Sequence, residues 1–186
     1  RGHGIGLTID AEEADRLELS MDIFEGLARA PELTDWDGLG FVVQAYGKRS
    51  PMVIDWLVEL ARETDRRIPV RLVKGAYWDT EIKRAQEAGH SDYPVFTRKA
   101  NTDLCYEVCA RKLLDAGEHV HAQFATHNAY TIAVLRELAA GRRYELQLLH
   151  GMGALVYEAL AARCADEKFP VRVYAPVGPH DELLPY

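Results

Sequence analysis

Six short runs rich in Val, Ile, Leu and Phe recur along the chain, each followed by a stretch whose apolar residues fall at three- and four-residue spacing. Few architectures satisfy that alternation. The runs predict strands over 4–10, 39–45, 69–74, 120–126, 144–149 and 171–175, and the stretches predict helices over 12–29, 51–66, 80–88, 97–116, 129–140 and 154–166. Leu17, Met21, Phe24 and Leu27 illustrate the helical period, with spacings of four, three and three that draw an apolar stripe down one face. Pro51 after Ser50 suits a first helical turn, and Gly117 and Gly141 suit positions just past helix ends. Repeated βα units imply a parallel sheet with helices outside it.

Two sheets can be built this way, an open doubly wound one and a closed barrel of eight strands. A dinucleotide-binding open sheet calls for Gly-x-Gly-x-x-Gly after its first strand, whereas Gly2, Gly4 and Gly6 precede the strand and are spaced differently. Polar residues instead gather at the C-terminal ends of the strands: Asp10, Gln44, Lys74, Thr126 with His127 and Asn128, Gln147 with His150, and Tyr174. In a βα barrel these ends share one face, where active sites lie. The expected fold is therefore α/β, a (β/α)8 TIM-type barrel in one domain over 1–186, incomplete, with about six βα units and with the first strands and last helix outside the chain. The chain opens on Arg1 without a signal-like apolar segment and stops at Tyr186 as a helix would begin, so it reads as a fragment.

Composition narrows the function. With 48% hydrophobic and 27% charged residues in 186, the chain is expected to be soluble and globular, without a membrane span. A net charge of −7 gives no basic footprint for nucleic acid. Cys105 and Cys109, one helical turn apart, suit reduced buried thiols of an intracellular protein.

The most unusual segment is Arg71-Leu-Val-Lys-Gly-Ala-Tyr-Trp78, a strand that carries cations and leads at once into Gly and two aromatics. Charged residues are seldom buried without a partner. Alternation places Arg71 and Val73 on one face and Leu72 and Lys74 on the other. Lys74 suits a Schiff-base nucleophile of an aldolase. Equally, Arg71 and Lys74 suit an anionic or reduced cofactor, with Gly75 allowing close backbone approach and Trp78 covering a ring. The structural alternative pairs Lys74 with Asp10 or Asp79. Thr126-His127-Asn128 opens a helix, and fits either an anion or an ordinary N-cap. His121, His127 and His150 raise a metal site, but the first two are expected at opposite ends of one strand. Asp10, Glu12 and Glu13 suit a general base, an ion pair or helix N-terminal charges. Gly-x-Ser-x-Gly, His-Glu-x-x-His and P-loop sequences are absent from the chain.

Taken in order, Leu7-Thr-Ile-Asp-Ala-Glu-Glu-Ala-Asp-Arg16, Phe41-Val-Val-Gln-Ala-Tyr46, Arg71-Leu-Val-Lys-Gly-Ala-Tyr-Trp78, Phe124-Ala-Thr-His-Asn128, Leu149-His-Gly-Met-Gly153 and Val173-Tyr-Ala-Pro-Val-Gly178 resemble the proline dehydrogenase domain of bacterial bifunctional proline utilisation A (PutA) proteins. The resemblance implies a flavin enzyme that oxidises L-proline to Δ1-pyrroline-5-carboxylate and passes electrons to a membrane quinone. It also implies a pyrroline-5-carboxylate dehydrogenase module in the same parent chain, a cytoplasmic location and peripheral contact of the full-length protein with the inner membrane. Gln44, Arg71, Val73, Lys74, Gly75 and Ala76 match its FAD site, as do Trp78, Thr126, His127, Asn128 and Gln147. Arg71 would lie at the isoalloxazine N5 edge and tune its potential. Tyr77, Leu149, Tyr174 and Tyr186 match the substrate pocket, and Asp10, Arg71, Tyr77 and Tyr174 the catalytic group, Asp10 orienting and polarising. A family lysine on the first strands and an arginine pair beyond Tyr186 fall outside the chain. The competing expectations are a Schiff-base lyase using Lys74 and an inert barrel fragment.

Overall fold

The computed structural model describes residues 3–163 and 170–179. Six strands, β1 (Leu7–Ile9), β2 (Leu39–Gln44), β3 (Ile68–Val73), β4 (Val120–Ala125), β5 (Glu145–Leu149) and β6 (Val171–Tyr174), form one parallel sheet in chain order. Helices α1 (Leu17–Ala28), α2 (Ser50–Glu63), α3 (Trp78–Glu87), α4 (Lys99–Asp115), α5 (Ala129–Ala139) and α6 (Ala154–Arg163) fill the crossovers, with α3 and α4 sharing one. The result is an incomplete (β/α) barrel, the fold class read from the alternation.

Burial along β3 alternates, with Ile68, Val70 and Leu72 buried and Pro69, Arg71 and Val73 less so. The first set belongs to the core between sheet and helices, with Phe41 and Val43 of β2, Phe124 of β4, Ile54 and Leu57 of α2 and Leu113 of α4. Helix α2 packs on α4, and α4 on α5. Phe24 and Phe41 meet edge to face at 5.1 Å, and Trp56 meets both of them edge to face at 6.2 and 6.3 Å. Each such buried side chain contributes about 1.5–3 kcal/mol of transfer free energy.

The other set lines the barrel interior. Register places Val42, Arg71, Gln123 and Glu145 in one row across β2 to β5. The next row toward the strand ends holds Gln44 beside Val73, and Ala125 beside Gln147 and Arg172; Leu149 and Tyr174 top it.

Element ends depart from expectation where tertiary hydrogen bonds claim the backbone. The strand expected over 4–10 is only Leu7–Ile9, because pairing starts at Leu7 with Leu39 and Gly4 turns left-handed at φ 65°. The helix expected from Glu12 begins at Leu17, after a 3-10 turn at Ala14–Arg16. The Glu12 carbonyl accepts from Gln44 Nε2 at 2.8 Å, Glu13 is extended, and the Ala14 N–H donates to Glu81. Helix α2 stops at Glu63 rather than Arg66, since Asp65 takes φ 50° and the Arg66 N–H turns back to the Ala61 carbonyl. The freed Arg66 guanidinium, 6% exposed, donates to the carbonyls of Ala28 and Trp36. Helix α3 starts at Trp78, two residues before the expected Thr80. Residues 164–166 of the last expected helix, Cys164 and Tyr186 lie outside the described residues.

Candidate active site at the C-terminal rim

Parallel strands deliver their C-terminal ends to one rim, so Asp10, Gln44, Lys74, Thr126, Leu149 and Tyr174 arrive there by topology. Curvature does the rest. Arg71, 18% exposed on the interior face of β3, places Nη2 3.1 Å from Asp10 Oδ1 and its guanidinium carbon 5.6 Å from the centre of the Tyr174 ring. Asp10 follows β1 and Tyr174 ends β6, the two edges of the sheet. One cation therefore bridges residues from both edges, and its charge is directed into the mouth. An arginine between a carboxylate and an aromatic face is held in position by a charge-assisted bond and a cation–π contact.

Gln44 holds the rim loops together. Its Nε2 donates to the Glu12 carbonyl and its Oε1 accepts from the Ala76 N–H at 3.0 Å, which fixes the segment after β3. Within that segment Gly75 adopts φ 140°, and a Cβ there would lie 2.4 Å from Cγ of Tyr46. The neighbour that demands glycine is thus a buried tyrosine ring. Tyr77 occupies the N-cap position of α3 without a side-chain capping bond, and Trp78, 42% exposed, donates its indole N–H to the Phe96 carbonyl at 2.9 Å. Helix α3 is strapped to the segment after β1 by Arg84 with Glu13 at 3.0 Å and by buried Glu81 accepting from Ala14 N–H.

Lys74 turns away from Arg71. Its Nζ lies 2.6 Å from Asp103 Oδ1 on α4 and 5.9 Å from the centre of the Tyr106 ring. The expected partners Asp10 and Asp79 are replaced: Asp10 pairs with Arg71, and Lys74 with a carboxylate 29 residues onward. Lys74 and Lys99 hold the Asp103 carboxyl below its ordinary value. Nothing here directs the Lys74 amine toward the mouth as a nucleophile.

Asn128 is an N-cap, its Oδ1 accepting from the Thr131 N–H at 3.0 Å, and Thr126 Oγ1 accepts from Asn128 N–H at 3.1 Å. His127 is exposed, its Cβ only 2.5 Å from where Gly153 would place one. The Tyr157 hydroxyl lies 2.7 Å from the Thr126 carbonyl and 3.1 Å from that of Gln147, and burial pushes its phenol up to about 12.

The interior also holds a group that sequence reasoning missed. Glu145, 3% exposed, sits at the start of β5 with both oxygens engaged by Arg172 of β6 at 2.8 and 2.9 Å. Gln147, equally buried, donates to it from Nε2 at 2.8 Å, and His121 Nε2 lies at 3.5 Å. Burial holds His121 below its ordinary value, although Glu145 opposes the shift. The available signal was polar residues at i and i+2 of one strand with an arginine on the next. Among the described residues no group of three or more His, Cys, Asp or Glu side chains could hold a metal ion. Cys105 and Cys109 are free and buried, their sulfurs 3.9 Å apart on α4. A cavity of about 60 Å3 lies between the segment after β1 and β2, bounded by Leu17, Phe41 and Val53, room for a water or two only.

The proline dehydrogenase family model matches residues 1–186. The chain is 55% identical over 192 residues to the bifunctional protein PutA of Salmonella typhimurium, covering 100% of this chain and 14% of that one. Against the bifunctional protein PutA of Escherichia coli the identity is 54%, with the same two coverages. A crystal structure of a point mutant of Bradyrhizobium japonicum proline utilization A shares 56% identity and a TM-score of 0.94, covering 98% of this chain and 19% of that one. The chain thus spans about a seventh of the length of these curated relatives.

Proposed function

Because this chain belongs to the proline dehydrogenase family, we propose that it is the main part of an FAD-dependent catalytic domain that oxidises L-proline to Δ1-pyrroline-5-carboxylate. The observation that carries the proposal is Arg71, a cation inside the barrel mouth between Asp10 and Tyr174. The rim residues fit a flavin. They offer that fixed positive charge, and they offer Gln147 Oε1, a buried acceptor with no donor among the described residues. The cofactor set is Gln44, Arg71, Val73, Lys74, Gly75, Ala76, Trp78, Thr126, His127, Asn128 and Gln147.

When bound, flavin supplies the acceptor for the two electrons that leave the substrate amine carbon. The protein supplies orientation and field. Arg71 would hold its charge beside the bound acceptor and favour its gain of electrons, and Asp10 positions Arg71 through the 3.1 Å pair. Tyr77, Leu149 and Tyr174 give the apolar walls that receive a pyrrolidine ring, Tyr174 also bearing on Arg71; the sequence resemblance implies the same role for Tyr186. The Gln44 bonds to Glu12 and Ala76 keep the loops after β1 and β3 together.

In the full-length protein the electrons continue to a membrane quinone through peripheral contact with the inner membrane from the cytoplasm, and a pyrroline-5-carboxylate dehydrogenase module takes the product onward. The bifunctional relatives, in which this region is about a seventh of the length, support the further module. Among the described residues no helix is long and apolar enough to cross a membrane.

Purified full-length protein is expected to show the absorption of oxidised flavin and to bleach when L-proline is added without oxygen. A colourless protein, or a flavin spectrum indifferent to proline, would overturn the assignment.

A further inference from the structure

Glu145 and Gln147 stand two residues apart on the interior face of β5, each 3% exposed. An ionised carboxylate accepts hydrogen bonds and donates none. Both Glu145 oxygens are occupied: Oε1 accepts from Gln147 Nε2 and Arg172 Nε, both at 2.8 Å, and Oε2 from Arg172 Nη2 at 2.9 Å. Burial pushes the Glu145 carboxyl upward, yet the Arg172 fork and the Gln147 bond outweigh it and hold the group below its ordinary value. The amide facing it is left with one orientation. Its NH2 points to Glu145, and its carbonyl oxygen must take the opposite side. That oxygen is fully buried and receives no hydrogen bond among the described residues. Such an acceptor is costly to leave unmet, so the site calls for an N–H or O–H donor from what it binds.

Resting on the flavin assignment above, we propose that Glu145 is a positioning residue that locks the Gln147 amide so that its carbonyl oxygen accepts a hydrogen bond from the imide N3–H of the isoalloxazine. Oxidised flavin has only that one ring N–H. An amide free to rotate would present NH2 half of the time and meet the imide with donor against donor. Arg172, from the neighbouring strand, keeps the lock charged, and His121 closes its lower side.

The test uses full-length protein stripped of flavin and titrated with FAD and with FAD methylated at N3. Wild type is expected to bind FAD about tenfold more tightly than the methylated analogue, the scale of one hydrogen bond. Glu145→Gln, whose amide can face Gln147 in either sense, is expected to bind FAD about tenfold more weakly and to lose most of that discrimination. Glu145→Asp, which withdraws the carboxylate from Gln147 while keeping the charge, serves as the second variant and is expected to do the same. A wild type that binds no FAD overturns the flavin assignment itself. Equal wild-type affinity for FAD and its N3-methyl analogue overturns the contact, and variants that keep the tenfold discrimination overturn the role of Glu145.

Discussion

Replacing Gly75 with alanine is expected to damage the domain twice over. At φ 140° the backbone conformation disfavours any L side chain, at a cost of about 1–3 kcal/mol. The new Cβ would also lie 2.4, 2.5 and 2.7 Å from Cγ, Cδ2 and Cδ1 of Tyr46. Carbon atoms sit comfortably at about 3.5–4.0 Å, so the ring must withdraw by about 1 Å. It has little space to do so, since Tyr46 is only 5% exposed and its backbone is bonded to Lys74 and Phe96. Overpacking of this kind costs about 1–3 kcal/mol, which brings the total to about 2–6 kcal/mol. Hydrogen exchange of the β2 and β3 amides in the full-length protein reads this locally as a loss of opening free energy. Gly89→Ala is the control, with φ 67° and nothing within 4 Å of its Cβ; it meets only the left-handed penalty of about 1–2 kcal/mol. A double-mutant cycle isolates the clash: in a Tyr46→Ala background, Gly75→Ala should cost about 1–3 kcal/mol less. Additive costs, within about 0.5 kcal/mol, would refute the assignment of the ring as the obstacle.

Three further outcomes are expected. Arg71→Met should lower the flavin midpoint potential, measured by spectroelectrochemistry, because it removes a positive charge that favours added electrons; an unchanged potential places Arg71 away from the ring. Borohydride in the presence of substrate should leave Lys74 unmodified by peptide mass spectrometry, since its amine is engaged by Asp103 at 2.6 Å; an adduct there would restore the lyase. Glu145 sits below its ordinary 4.5, so its contribution is complete at neutral pH, weakens as pH falls below about 4.5 and is gone once pH passes the lower folded value. Exchange protection of β5 and β6, corrected for intrinsic rates, should drop over that acid window in wild type and less in Glu145→Gln.

The strands were legible because their period and composition are set locally, and β2 to β6 fall within a residue or so of expectation. Helix ends were harder. The delayed start at Leu17 follows from Gln44 and Glu81 holding the backbone of Glu12 and Ala14, partners 32 and 67 residues away. Arg71 and Lys74 were recognisable as unusual, and their opposite faces followed from alternation. Which carboxylate each one meets depends on how far the sheet curls and on where α4 docks, and neither is written in spacing. Glu145 passed unnoticed because a glutamate at a strand start usually faces water; only Arg172, 27 residues on, makes it interior.

Strand order equal to chain order has a kinetic consequence. Pairing closes a loop of 32 residues between Leu7 and Leu39, 29 between Phe41 and Val70, 22 between Gln123 and Glu145, and 25 between Leu146 and Val171. Ile68 to Val120 takes 52, because two helices must be laid down before β4 can dock. Closure entropy rises only as the logarithm of length, about 0.8 kcal/mol between 22 and 52 residues, but the longer loop must also order α4 against two neighbours. The junction of β3 with β4 is therefore the costliest of the five strand pairings to close. Arg71 lies on that junction, paired with Gln123 across it. Its two other contacts, Asp10 and Tyr174, come from the opposite edges of the sheet, so the surroundings of this cation are complete only when all six strands are paired.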